Sequence, residues 1–139
     1  MKYIHILLFC FVMTKSEANK SDHIKTIKEI SDLIESSFNK GNAKLLESLL
    51  SAELELVIDS EKVDFAKIQK ERAGFIISSF FKRNPPVEFD YVYQGSTSET
   101  LRYSVGSYKS SNKEFMIYML IKENPDHTFG IKTLQMREN

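Results

Sequence analysis

The chain has 139 residues, of which 42% are hydrophobic and 27% are charged, which is enough for one globular core and too little for two. Nineteen basic and nineteen acidic side chains cancel to a formal net charge of zero. The length thus predicts a single domain. Because no overall positive field attracts nucleic acid or an anionic membrane, we expect this domain to bind no nucleic acid.

Residues 1–18 have the layout of a secretory signal peptide. Lys2 supplies the positive start, an apolar run follows it, and a small-x-small cleavage site ends at Ala18. The alternative, a short buried strand or helix, is disfavoured by these flanking residues. The sequence therefore predicts cleavage after Ala18, a single domain over residues 19–139, and an exported protein that is periplasmic or secreted.

The single cysteine, Cys10, lies inside that apolar run and follows the bulky Phe9. A lipidated cysteine follows a small residue, so we expect no lipid anchor. The domain left after cleavage contains no cysteine, which indicates an exported protein without disulfides. Since no other segment is long and apolar enough, we also expect no membrane span in the mature chain.

The first predicted element of the domain is an amphipathic helix over residues 19–40. Apolar side chains recur there at helical spacing, and Ser21 or Asp22 is the expected N-cap. Gly41 occupies the position where a helix usually ends in the left-handed conformation. Asn42 then caps the next helix, so the chain reverses sharply between the two.

A second helix, a strand and a third helix follow. Leucines over residues 43–50 have helical spacing. Residues 53–59 alternate apolar with acidic side chains, as in a strand with one solvent-exposed face. Asp64 is expected to cap the third helix. That helix ends at Pro85-Pro86, because a residue that precedes proline is pushed out of the helical region.

Four antiparallel strands are predicted next, at residues 87–94, 99–109, 114–122 and 128–136. A turn is expected over residues 95–98 and a bulge or bend at Gly106. The strand 114–122 is apolar on both faces, which predicts cover on both sides. Helices on one face of a curved antiparallel sheet give an α+β fold.

This order resembles the nuclear transport factor 2-like superfamily, which includes the ketosteroid isomerases and scytalone dehydratase. The resemblance is carried by GNAKLL at 41–46, FFKRNPP at 80–86 and YQGSTS at 93–98. Within the superfamily, the chain is similar to a family of exported proteins, mainly of Bacteroidota, that has no established activity. The resemblance covers residues 22–137 and implies the cone-shaped α+β fold and export. It carries over no functional residue, since a shared fold is not evidence of shared chemistry.

One hypothesis is a small enzyme of the isomerase, dehydratase or hydrolase kind. Asp59 is then the candidate general base, because it ends the first strand near the place where such folds open their pocket, and Tyr91 or Tyr103 is the candidate proton donor. The alternative is that Asp59 bonds to local N–H groups in a turn and the tyrosines belong to the core. His127 lies in a polar turn, where a histidine is usually solvated.

The other hypothesis is a non-enzymatic binding module of the cell envelope. Its candidate ligand-binding residues are Tyr91, Tyr93, Tyr103, Tyr118 and Arg102. Arg102 either binds an anionic ligand or, as the favoured alternative, pairs with Glu88 or Asp90 across the sheet. The ligand would be a small apolar molecule in the cone or a protein partner, with a homodimer through the sheet as one form.

We favour the binding module. With two histidines far apart and no cysteine after residue 18, the usual zinc ligand sets are missing, and we expect neither a metal nor a cofactor. A perturbed carboxylate that faces an open cavity would instead favour the enzyme. A cavity filled by the side chains of Phe75, Phe80, Phe89 and Phe115 would favour a protein partner.

Overall fold

The computed structural model describes residues 26–139, apart from the side chain of Thr97, and the predicted signal peptide at 1–18 lies outside the described residues. The elements in chain order are α1 (Ile27–Lys40), α2 (Ala43–Ser48), β1 (Leu50–Ile58), a short 3₁₀ helix (Asp59–Glu61), β2 (Val63–Gln69), α3 (Lys70–Arg83), β3 (Glu88–Ser98), β4 (Leu101–Lys109), β5 (Glu114–Glu123) and β6 (Phe129–Glu138).

Helix α1 begins at Ile27, later than predicted, because Thr26 is its N-cap. The Thr26 hydroxyl accepts from the Glu29 N–H and the Glu29 carboxylate accepts from the Thr26 N–H, both at 3.1 Å, which is a complete capping box. The predicted caps Ser21 and Asp22 lie outside the described residues.

The reversal between α1 and α2 follows the prediction. Gly41 has φ 62° and ψ 35°, the left-handed conformation that glycine adopts most easily, and it ends α1. A Cβ added at Gly41 would lie 3.0 Å from the Pro86 ring, so this corner packs against the Pro-Pro segment. Asn42 caps α2 by accepting from the Leu45 N–H at 3.0 Å, and α2 ends at Ser48, two residues earlier than predicted.

Residues 63–69 form the strand β2, so the prediction that Asp64 caps a helix was wrong. The 3₁₀ helix and Lys62, which has φ 57°, reverse the chain after β1. Asp64 then pairs with Val57 in an antiparallel ladder, which bonds one side of this edge strand to β1. Helix α3 begins at Lys70 and ends, as predicted, just before the Pro-Pro pair.

The six strands form one sheet in the order β2-β1-β6-β5-β4-β3, and the predicted α+β class is confirmed. The four strands after α3 pair antiparallel, but β1 runs parallel to β6, so the sheet is mixed. Strand β3 continues through the predicted turn at 95–98, because Gly95 pairs with Tyr103 and Ser96 with Arg102. The expected cover of β5 holds for one face only: Ile117 is fully buried, whereas Tyr118 on the opposite face is half-buried.

An aromatic cluster fills the space between the helices and the sheet. Its members are Phe38, Phe80, Phe81, Phe89, Tyr108 and Phe115, all at most 6% exposed. The ring centroids of Phe38 and Phe89 are 4.9 Å apart and those of Phe80 and Phe115 are 5.0 Å apart. Rings at these separations make close and favourable contacts, so the cluster forms the centre of the core.

A β-bulge lies at Val92, opposite Gly106, where the sequence predicted a bulge or bend. Tyr91 pairs with Gly106 and Tyr93 with Val105, so Val92 is the extra residue. The bulge turns Tyr91 toward the helices and Tyr93 toward the opposite face of the sheet.

Gly106→Ala is expected to destabilise the protein by about 1–3 kcal/mol, the usual range for overpacking a core. An added Cβ would lie 2.3 Å from the buried Phe89 ring, which has little room to move. The measurement is the free energy of unfolding from urea denaturation. Gly95→Ala is the matched control, because its Cβ would meet only the end of the exposed Tyr93 side chain. Equal stability of the two variants would contradict this account.

Candidate functional site

The candidate ligand-binding side chains lie on opposite faces of the sheet. Tyr91 and Arg102 lie on the helix face, which we define as the face that α1 and α3 cover. Tyr93, Tyr103 and Tyr118 lie on the other side, which we call the outer face. The structure therefore divides these residues between two separate surfaces.

Asp59 lies in the 3₁₀ helix after β1 and is exposed. Its Oδ1 accepts a hydrogen bond from the backbone N–H of Glu138 at 3.0 Å, which joins the end of β1 to the end of β6. The donor belongs to the remote strand β6, so this bond is not the bonding to local N–H groups that the alternative interpretation expects. Asp59 lines neither of the two surfaces described below, and its role as a general base stays a prediction.

Tyr91 is half-buried between β3 and α1. Its hydroxyl donates to the Ser31 carbonyl at 2.7 Å. Burial raises the pKa of the Tyr91 phenol above its ordinary value, and the nearby negative charge of Glu35 raises it further. Tyr91 is therefore a neutral hydrogen-bond donor that links the sheet to α1.

Within the described part of the chain, the acceptors to which Arg102 bonds are all neutral. Its Nη1 donates to Gln94 Oε1 at 2.8 Å and to Ser31 Oγ at 3.4 Å, and its Nε donates to Ser96 Oγ at 3.4 Å. No ion pair within residues 26–139 includes Arg102.

The favoured pairing of Arg102 with Glu88 or Asp90 was wrong. In the β3–β4 ladder, Glu88 pairs with Lys109 and Asp90 with Ser107, at the other end of the hairpin from Arg102. The guanidinium is therefore left without a cross-strand carboxylate.

A cleft of about 580 Å³ opens beside Arg102; we call it the Arg102 cleft. Its lining residues are Thr26, Ile27, Ser96, Ser98, Glu99, Arg102 and Phe129. It thus combines two apolar side chains, three hydroxyls and one charge of each sign. Further along β4 on the helix face, the buried Ser104 Oγ has no hydrogen-bond partner among the described residues.

The interior between the helices and the sheet is occupied. Phe80, Phe89 and Phe115, three of the four phenylalanines named for a filled cavity, are buried there. The fourth, Phe75, lies on the surface of α3, is 75% exposed and takes no part in filling the interior.

The outer face carries a shallow groove of about 320 Å³. Its lining includes Tyr103, Tyr118, Leu120, Thr133, Gln135 and Arg137. The rings of Tyr93 and Tyr103 lie beside one another, 6.5 Å apart, and are 57% and 44% exposed. The sequence reasoning missed the β6 members, although the alternation of side chains along that strand could have identified them.

The remaining sequence candidates contribute little to either surface. His127 lies in an exposed turn with Nδ1 3.1 Å from Glu123 Oε2. Residues 26–139 contain no group of three or more metal-ligating side chains. In the same part of the chain, no helix has the length and apolar character needed to cross a membrane.

Comparison with known proteins identifies a family and a fold. The family model described as a domain of unknown function, DUF4783, matches residues 31–137. The chain is similar in structure to a DUF4783 family protein from Bacteroides uniformis ATCC 8492, with a TM-score of 0.69 and 17% identity, over 78% of this chain and 95% of that one. No curated protein matches the chain in sequence.

Two further solved structures share the fold. An NTF-2 like protein of unknown function from Silicibacter pomeroyi DSS-3 has a TM-score of 0.59 and 8% identity, over 82% of this chain and 93% of that one. A proposed ketosteroid isomerase from Parabacteroides distasonis ATCC 8503 has a TM-score of 0.60 and 13% identity, over 79% and 85%. At these identities the likeness shows the fold alone.

The raised pKa of Tyr91 predicts a loss of stability in alkali. Below about pH 10 the phenol is neutral in both the folded and the unfolded state. Above that pH the unfolded chain loses the proton first, so the free energy of unfolding falls by up to about 1.4 kcal/mol per pH unit for this group. Burial raises the pKa of Tyr108 in the same direction.

Tyr91→Phe should therefore reduce the fall of the free energy of unfolding with rising pH in alkali. Near neutral pH it should lower the free energy of unfolding by about 1 kcal/mol, because the hydrogen bond to Ser31 is lost. Urea unfolding at a series of pH values measures both effects. Tyr93→Phe is the control, since Tyr93 is exposed on the outer face. A wild-type slope in Tyr91→Phe would refute this assignment.

Proposed function

Because the chain belongs to the DUF4783 family and has the nuclear transport factor 2-like fold, we propose that it is an exported, non-enzymatic binding module that takes a protein partner on the outer face of its sheet. The observation that carries the proposal is the contrast between a filled interior and an aromatic outer face. A second copy of this chain is the partner that we propose first.

The filled interior favours a partner over chemistry inside the cone. Phe80 and Phe115 are fully buried where an open pocket would be needed. Asp59, the candidate base of the enzyme hypothesis, is exposed, and its carboxylate accepts from the Glu138 N–H. Neither the filled interior nor the bonding of Asp59 therefore supports the enzyme hypothesis.

The composition of the outer face favours a protein surface as its occupant. Tyr93 and Tyr103 expose their rings side by side, and Tyr118 and Leu120 line the groove next to them. The centre of this surface is uncharged, while Arg137 lies at the margin of the groove. Aromatic side chains at an uncharged centre with polar groups around it are typical of protein–protein interfaces.

A second copy suits this surface because a two-fold axis places the same patch on both sides of the contact. The side chains of the groove are aromatic, aliphatic or neutral polar apart from Arg137, so two copies meet without opposed like charges at the centre. The homodimer thus needs no complementary partner of different composition.

Tyr103→Arg is expected to convert the dimer to a monomer at micromolar concentration, because it places a charge at the centre of each contact. Native mass spectrometry and sedimentation velocity measure the oligomeric state, and circular dichroism checks the fold. Phe75→Arg is the control, since Phe75 is also an exposed aromatic side chain but lies on α3. A monomeric wild-type protein would overturn the homodimer.

A protein partner other than a second copy of this chain is tested by photo-crosslinking in cells that export the protein. A photo-crosslinking amino acid at position 103 should give a discrete adduct, whereas the same amino acid at position 75 should not. Adducts of equal yield at both positions, or at neither, would overturn the outer face as the binding surface.

Export is tested separately. Intact-mass analysis of the protein from fractionated cells should give a chain that begins at Asn19, and Ala18→Arg should leave the precursor uncleaved, because the position before the cleavage site requires a small residue. Glu17→Gln is the control and should be processed normally. A wild-type chain of full length in the cytoplasmic fraction would contradict the proposal.

A further inference from the structure

We propose that the Arg102 cleft binds a small organic carboxylate with a short apolar body. The proposal concerns the helix face and is independent of the protein partner on the outer face. It rests on the bonding of one guanidinium and on the side chains that surround it.

Arg102 has donors that the protein does not use. A guanidinium carries five N–H groups. Nε and Nη1 make three hydrogen bonds, two of them long at 3.4 Å, and Nη2 makes none within the described part of the chain. A partly buried arginine is normally matched by a carboxylate or phosphate. Here no ion pair of the described residues supplies one, so an external anion would complete the site.

The cleft offers two kinds of surface to such an anion. The Ser96 hydroxyl lies beside the guanidinium and has its own proton to donate, since its oxygen accepts from Arg102 Nε. Ile27 at the start of α1 and Phe129 at the start of β6 add apolar surface to the same cleft. A volume of about 580 Å³ is in the range of small-molecule sites. The geometry therefore suits a ligand with one anionic end and one apolar end.

The surrounding charges favour a monoanion. Glu99 lines the cleft together with Arg102 and is the one acidic residue of its lining. A doubly charged phosphate would meet more repulsion from the Glu99 carboxylate than a singly charged carboxylate would. We therefore commit to a carboxylate.

The test is a titration of the purified protein followed by proton–nitrogen correlation NMR. Hexanoate should shift the amide signals of Ser96, Arg102 and Phe129 and saturate. Hexan-1-ol has the same apolar body without the charge, and hexyl phosphate carries a second negative charge. We expect the alcohol to bind at least about tenfold more weakly than hexanoate, as the loss of a charge-assisted hydrogen bond implies, and hexyl phosphate to bind more weakly than hexanoate.

Three variants and one control define the outcome. Arg102→Gln should weaken hexanoate binding at least about tenfold, and Glu99→Gln should strengthen it, since a like charge is removed from the cleft. Arg102→Lys keeps the charge if Arg102→Gln does not fold, and it should bind at an intermediate level. Phe75→Arg should leave hexanoate binding unchanged, because Phe75 is exposed on α3 and lines neither the cleft nor the outer face.

Three results would overturn the proposal. They are equal binding of hexanol and hexanoate, wild-type affinity in both Arg102 variants, and signal shifts confined to residues of the outer face. Tighter binding of hexyl phosphate would overturn the choice of a carboxylate and assign the site to a phosphate monoester.

Discussion

The hydrogen bond from the Tyr108 hydroxyl to the Asn84 carbonyl fixes the corner between α3 and β3, around which the rest of the domain packs. Asn84 follows the last residue of α3 and precedes two prolines, which have no N–H and cannot continue the helix. Tyr108 reaches this carbonyl from the centre of the aromatic cluster, and Ser110 donates to the next carbonyl, that of Pro85. The end of α3 is thereby fixed to β4, and the direction in which β3 leaves the corner is fixed with it.

This corner also encloses the filled centre of the domain. Gly41 packs against Pro86, so the reversal between the two N-terminal helices closes on the same point. The rings of Phe38 and Phe80 fill the space enclosed there. With the centre of the cone occupied, the two surfaces proposed for binding, the outer face and the Arg102 cleft, lie where the cluster does not reach.

Local signals predicted the ends of elements better than their identity. Gly41 and the Pro-Pro pair act on their own backbone, so their effects could be inferred from the sequence. The identity of β2 could not, because Phe65 and Ile68 fit a helical stripe as well as an edge strand. Only the pairing with β1, which depends on the reversal at Lys62, decides between the two.

The candidate site was predictable in its residue types but not in its arrangement, because two features of one hairpin set that arrangement. The bulge at Val92 adds a single residue and so places Tyr91 and Tyr93 on opposite faces. The turn lies after Ser98 rather than over residues 95–98, which places Arg102 opposite Ser96 and away from Asp90. The same hairpin thus provides the exposed tyrosines of the outer face and an arginine without a carboxylate on the helix face. A change of one residue in its register would remove both surfaces together.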